Sequence, residues 1–311
     1  MPGGVEHPRR AGRAWRPVAV AFALLATIAA VPAIVPADAK AIDGLEREYD
    51  DSDHDFDPYK QATAHCPSDK RVVGGGGVIS DGGENIARFT GLAPTIWPAS
   101  AYGRGFTASA EAIFAGQYVE WSVGAYAICA DEDALDDYRI ATETIENTSS
   151  TTFVRGSAPC PTGTVAYSAG AGIGYDHQNH FVGRIGLQMV RTDGPMGIGR
   201  ATARENTPLD FPSPWSLRVF AVCAKSQEGL HVEGAGDADG DREVTSFCVN
   251  PATYVHGAGG GASGPGITDA GRSWLKKITP SASLRSLTVS MAGPESPKGG
   301  VIASHTCAGG L

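Results

Sequence analysis

An internal repeat constrains this chain more than any other feature. Cys66-Pro67 and Cys160-Pro161 open two stretches whose landmarks align without a gap. Each cysteine lies 55 residues before a tryptophan (Trp121, Trp215) and 63 before a second cysteine (Cys129, Cys223). Glycines at 74–77 in the first stretch correspond to small residues at 168–172 in the second. A weaker third copy runs from Cys248 to Cys307, a separation of 59, with Gly257, Gly259, Gly260 and Gly261 after its first cysteine. Repeats of this length govern architecture, because each unit buries its apolar face against its neighbours. The copies also use all six cysteines, two in each.

The segment before each second cysteine alternates with period two. Trp121, Val123, Ala125, Ala127 and Cys129 share one face, as do Trp215, Leu217, Val219, Ala221 and Cys223. The opposite face begins polar and ends apolar. Such a pattern predicts a half-buried strand with Trp and Cys on the core side, about 25 Å apart. Ala62, Ala64 and Cys66 form a similar strand entering the first cysteine, and Val244, Ser246 and Cys248 repeat it in copy three. Phe106–Ala110, Arg200–Arg204 and Leu287–Met291 give a third. With 41 Gly and 20 Pro and no sustained 3.6-residue period, the fold class expected is all-β.

Boundaries follow from the repeat. Residues 40–58 read as an acidic, disordered leader. Copy one spans 59–132, copy two 133–225 with a lead-in strand near Tyr138–Thr142, and copy three 226–311 with a lead-in at Leu230–Val232. Copy three is degenerate: Gly299 stands at the tryptophan position and His305 where the others have Ala127 and Ala221. It reads as a terminal cap.

Residues 1–39 read as an export signal. Arg9, Arg10, Arg13 and Arg16 precede an apolar run from Val18 to Val31, and Ala37-Asp38-Ala39 places small residues at a cleavage site. A cut after Ala41 is equally allowed. No membrane span is then expected after cleavage. Taking the signal's four arginines and two acids from 25 Lys+Arg and 34 Asp+Glu leaves 21 against 32, a charge near −11. That balance argues against nucleic acid and other polyanions as partners. In an exported chain six cysteines read as three disulfides. Fifteen pairings exist for six cysteines, and spacing alone does not choose among them. If each copy is one structural unit, the pairs are Cys66–Cys129, Cys160–Cys223 and Cys248–Cys307.

The frame of Cys-Pro, a Gly or small-residue run, then Trp-Ser-Val/Leu-x-x-Tyr/Phe-Ala-Ile/Val-Cys-Ala resembles the repeat of exported actinobacterial proteins of uncharacterised function. The resemblance covers most of the chain after residue 40. More weakly, the chain is similar to the vitelline membrane outer layer protein family, with its three Cys-Pro-containing repeats. That likeness implies a pseudo-threefold β-prism of three sheets and a non-catalytic, carbohydrate-binding or coat role. The unit is longer here, roughly 90 residues, and the Trp-to-Cys strand departs from that family. Tandem small β-sandwiches are the alternative architecture.

Candidate chemistry is sparse. Thr63-Ala64-His65-Cys66 and Arg71-Val-Val-Gly-Gly75 echo a trypsin-like protease, but in the wrong order, and no Gly-x-Ser-x-Gly elbow is present. Asp176-His177-Gln-Asn-His180 offers two imidazoles without further ligands nearby. Asp51, Asp53, Asp55 and Asp57, and Asp237, Asp239 and Asp241, are dense in oxygen but lack the Gly and Glu of an EF-hand loop. No cofactor motif and no catalytic or metal-binding set is assigned. Trp121 and Trp215 fall on the core face, whereas Trp97 and Trp274 lie off that pattern and are the candidate ligand contacts. The expectation is a secreted, non-enzymatic β-repeat protein, a structural or binding module for a glycan or surface partner. A secreted hydrolase with an unrecognised site and a calcium-dependent adhesion module are the alternatives.

Overall fold

The computed structural model describes residues 42–309, apart from 81, 84, 114–118, 148–152, 176–183, 206–213, 228, 238–241, 263–272 and 294–299. Among the described residues there are eighteen strands and no α-helix, only three 3-10 turns. No described helix is long and apolar enough to cross a membrane. The strands fall into three blocks of six. The first comprises β1 (Glu46–Asp51), β2 (Tyr59–His65), β3 (Lys70–Ile79), β4 (Ala87–Pro94), β5 (Gly105–Ala112) and β6 (Val123–Asp131). The second comprises β7 (Arg139–Asn147), β8 (Phe153–Pro159), β9 (Val165–Tyr175), β10 (Ile185–Asp193), β11 (Ile198–Glu205) and β12 (Trp215–Ala224). The third comprises β13 (His231–Asp237), β14 (Glu243–Phe247), β15 (Thr253–Ala262), β16 (Trp274–Pro280), β17 (Ser286–Ala292) and β18 (Val301–Gly309).

Three antiparallel six-stranded sheets result, and none belongs to a single block. Sheet I has the order β1-β6-β3-β16-β17-β14, sheet II β2-β5-β4-β9-β12-β7 and sheet III β13-β18-β15-β10-β11-β8. Each block therefore gives its first, sixth and third strands to one sheet and its second, fifth and fourth to another. The permutation closes cyclically, with the third block completing sheet I beside the first. This is the pseudo-threefold arrangement, and tandem sandwiches are ruled out because every sheet spans two blocks. The third block is accordingly no cap, since it pairs with both of the others.

The joints between blocks are narrow and matched. In sheet II only Gly91↔Gly172 and Leu92↔Ala171 pair, in sheet III Met189↔Gly261 and Val190↔Gly260, and in sheet I Lys277↔Val78 and Ile278↔Gly77. A bulge precedes each joint, skipping Thr90, Gln188 and Lys276 in turn. Bulges bend a strand and raise its local twist, which re-aims it toward the next block.

A second matched set of bulges lies in the glycine-rich strands, skipping Val73, Tyr167 and His256. All three residues are buried. Here β3, β9 and β15 pack on one another. A β-carbon on Gly74 would stand 2.5 Å from the His256 carbonyl oxygen, and one on Gly257 would overlap the Tyr167 carbonyl oxygen. That carbonyl accepts a hydrogen bond from Thr306 Oγ1 (2.8 Å). The glycine runs thus permit backbone-to-backbone approach between sheets.

The disulfides close within blocks, Cys66–Cys129, Cys160–Cys223 and Cys248–Cys307. The first cysteine of each pair follows the second strand of its block, and the other lies in the sixth. Each bridge therefore joins two different sheets, and together the three link all of them. In the chain-entropy account each loop of this length contributes up to about 4 kcal/mol. Trp121 and Trp215 are core residues, as their parity predicts, and Trp215 Nε1 donates to Glu205 Oε1 (2.8 Å).

The acidic leader is corrected by the structure. Residues 46–51 form β1, in register with β6 from Glu46↔Cys129 to Asp51↔Gly124. Charge density read as a mark of disorder, but an edge strand exposes one face, and Tyr49 anchors this one against Tyr126 (ring centroids 4.8 Å apart). Beyond it Asp55 bridges to Trp121 and pairs with Lys60. The signal segment 1–39 and the Asp176–His180 loop lie outside the described residues.

Two expectations follow. Gly257→Ala should lower stability by more than about 2 kcal/mol in denaturant melts, because backbone must move to admit the methyl group. Gly236→Ala, whose added carbon would meet nothing nearer than 3.4 Å, should cost less than about 1 kcal/mol. Equal losses would contradict the close-approach account. Burial holds His256 down to about 4, so between about pH 6.5 and 4 the unfolded chain binds more protons than the folded one. Stability is therefore full above the unfolded value and declines as pH falls toward 4, by on the order of 3 kcal/mol from this group. His256→Val, matching Val73, should flatten that part of a stability–pH curve.

Candidate functional site

Sheet II carries a groove of about 320 Å³ across the joint of blocks one and two. Its geometry comes from residues without side chains. Gly91 on β4 pairs with Gly172 on β9, and Gly172 pairs with Arg218 on β12. One step along, Gly174 pairs with Ser216. Strand parity puts these glycines on the face away from the core, where missing side chains leave a trough. One wall is Thr90, Thr107 and Ser109, and the other is Ser216, Arg218 and Phe220.

The walls are rich in hydroxyls. Thr63 and Thr107 share a hydrogen bond at 2.9 Å, and Thr90 and Ser109 one at 3.3 Å. Toward the β2 edge, half-exposed Tyr59 donates its hydroxyl to Gln61 Oε1 (2.7 Å). Arg218 is exposed and, among the described residues, makes no ion pair or hydrogen bond. Hydroxyls that both donate and accept, one free guanidinium fork and the edge of a phenyl ring can hold a polar ligand along its length.

The matched positions in the other sheets are built differently. In sheet I the counterparts of Gly91, Gly172 and Arg218 are Lys277, Val78 and Gly124. There the Tyr49 ring covers Gly124, and Arg47 sits over the Tyr126 ring at 5.2 Å. In sheet III the counterparts are Met189, Gly261 and Ile302. Only sheet II has glycine on both sides of the joint.

Two smaller features lie elsewhere. Asp43, Asp133 and Asp136 line a hollow of about 310 Å³, where Lys225 pairs with Asp136 and Asp137 (3.8 and 3.3 Å). A cavity of about 270 Å³ is lined by Val165, Leu230, Val232, Thr306 and His231.

The two candidate tryptophans part ways. Trp97 is 81% exposed, on the connection between β4 and β5. Trp274 is 3% exposed and is withdrawn as a surface platform. It opens β16 on the inner side, with the Arg88 guanidinium stacked 4.2 Å from its ring centroid, in the space that Gly186 leaves open. Its place off the period-two pattern of Trp121 and Trp215 is therefore no sign of exposure. Of the aspartate runs, Asp55 is already engaged by Lys60 and by the Asp57 backbone NH, and Asp239 and Asp241 lie outside the described residues.

Sequence reasoning did not find the groove, although its glycines were visible. Residues 168–172 marked a small-residue run, but its pairing with Gly91 depends on a strand exchange between blocks that no local pattern encodes. A comparison with known proteins finds no family model that matches this chain and no curated protein similar to it.

Proposed function

We propose that this is an exported, non-enzymatic binding module whose outer sheet II face holds a glycan. The observation that carries this reading is the glycine-floored groove, with glycine on both sides of the joint at one of three matched positions and walls of Thr90, Thr107, Ser109, Ser216 and Arg218. A sugar chain offers alternating hydroxyls and apolar ring faces. The groove answers with side-chain hydroxyls, the Phe220 ring and a guanidinium suited to a uronate or other anionic substituent. Among the described residues the lining contains neither carboxylate nor imidazole, so its hydroxyls have no base beside them there, which favours binding over hydrolysis. Export is supported by the signal-like segment at 1–39 and by three disulfides, which suit an oxidising compartment. The resemblance to exported actinobacterial repeat proteins and to the vitelline membrane outer layer family points the same way.

The test uses a glycan array and a cell-wall pull-down with the full chain. Gly172→Val fills the trough with the residue found at the matched position of sheet I. Its β-carbon would have its nearest neighbour, Phe220, 4.0 Å away, so the fold is retained. Wild type should bind a saccharide class, Gly172→Val should lose roughly tenfold or more, and Arg218→Ala should weaken acidic glycans most. Undiminished binding by Gly172→Val would sink the groove assignment, and an array without hits would sink the glycan.

A further inference from the structure

Block three departs from its sisters beside its disulfide. His305 on β18 stands opposite Glu233 on β13, and the next inward-facing residue of β18 is Cys307, bonded to Cys248. At the matched positions blocks one and two have Ala127 opposite Glu48 and Ala221 opposite Ala141. The imidazole of His305 is wholly buried, and neither Nδ1 nor Nε2 makes a hydrogen bond of good geometry, the Phe247 backbone acting on the ring only as a weak partner. One nitrogen of His305, one oxygen of Glu233 and the sulfurs of Cys248 and Cys307 all lie within 4.8 Å of one another. Glu233 is held in place, its Oε1 2.6 Å from His231 Nε2 and its Oε2 accepting from the Val249 backbone NH at 2.8 Å.

A buried imidazole so weakly partnered is unfavourable, and alanine serves the matched strand position twice elsewhere. A ligand on either ring nitrogen would satisfy it. Disulfide sulfurs are weak donors, but thiolates are not. We propose that the Cys248–Cys307 bridge masks a transition-metal site: once reduced, Cys248, Cys307, His305 and Glu233 bind one ion of the Zn²⁺ class in tetrahedral coordination. The chemistry balances with a dithiol as reductant. Two electrons and two protons pass to the bridge, giving two thiols, while the reductant closes its own disulfide. The incoming cation then displaces both thiol protons and accepts lone pairs from the two thiolates, the neutral imidazole and the carboxylate. Two sulfurs, one nitrogen and one oxygen form a closed set of the kind zinc favours, and His231 becomes the outer partner that orients Glu233. While the bridge is intact the site is closed to metal, so occupancy reports the redox state around the protein.

The experiment takes the full chain, oxidised and dithiothreitol-reduced, each freed of reductant without air and titrated with Co²⁺, followed by displacement with Zn²⁺. Absorption distinguishes thiolate-to-cobalt charge transfer and tetrahedral coordination from loose binding. The expected result is one tightly bound ion per reduced chain, none in the oxidised protein, and a loss of roughly tenfold or more in affinity for His305→Ala and Glu233→Gln. His305→Ala installs the residue of both sister blocks, so it should fold. Four other cysteines are also reduced, which makes that variant decisive: a Co²⁺ signal in His305→Ala equal to wild type means that thiolate pairs alone suffice and overturns the site. So does the absence of binding after reduction. If reduction unfolds the chain, Co²⁺ should restore strand circular dichroism in wild type and not in His305→Ala; failure to restore it overturns the proposal too.

Discussion

At the centre of this protein three glycine-rich strands come closer than β-carbons allow. The backbone of β3 lies against β15, and that of β15 against β9, with Gly74 and Gly257 at the tightest crossings. Everything else answers to that approach. Bulges at Val73, Tyr167 and His256 let each strand turn its skipped residue into the shared centre. Trp121 and Trp215 are the largest of the fully buried side chains in the core around it. Dispersion forces reward such packing only while the fit is tight, so a single added methyl group at the centre is felt by all three sheets.

Strand exchange makes the arrangement cooperative. A block alone would own two three-stranded halves lying in different sheets, each with an unpaired edge. Pairing with the neighbouring blocks covers those edges through joints of only two residue pairs apiece. Joints so short hold little register information of their own. The disulfides supply the complement: each fixes the two halves of one block relative to each other, while the joints fix halves of different blocks. Covalent and hydrogen-bonded links therefore alternate around the ring, and neither set alone connects all eighteen strands.

The sequence made the repeat, the strand class and the cysteine pairs legible, because spacing and period-two alternation are local or covalent properties. Trp121 and Trp215 were legible for the same reason. What lay hidden depends on partners distant in sequence. The leader at 46–51 is acidic enough to read as disordered, yet it is the counterpart of β7 and β13, and its pairing with β6 outweighs its composition. Trp274 lies off the period-two pattern and so reads as a surface contact, but the Arg88 guanidinium, seated in the space that Gly186 leaves open, stacks on its buried ring. His305 was visible as a departure from alanine. Its meaning required Glu233, 72 positions earlier in number but directly across the ladder.

A pseudo-threefold scaffold offers its own control for functional inference. Features repeated in all three blocks, such as the bulges and the disulfides, are explained by folding, since the same fold requires them three times. Features present once are not so explained. By that criterion two places stand out: the joint of sheet II, where Gly91 meets Gly172 while its counterparts are filled by Val78 and Met189, and the β13–β18 ladder, where His305 replaces the alanine of both sister blocks. One is an open surface lined by hydroxyls, the other a cluster of nitrogen, oxygen and sulfur atoms beside a disulfide. Substituting a sister residue at either place alters the local chemistry while leaving the shared architecture unchanged, so the molecule carries the reference state against which its own specialisation is measured.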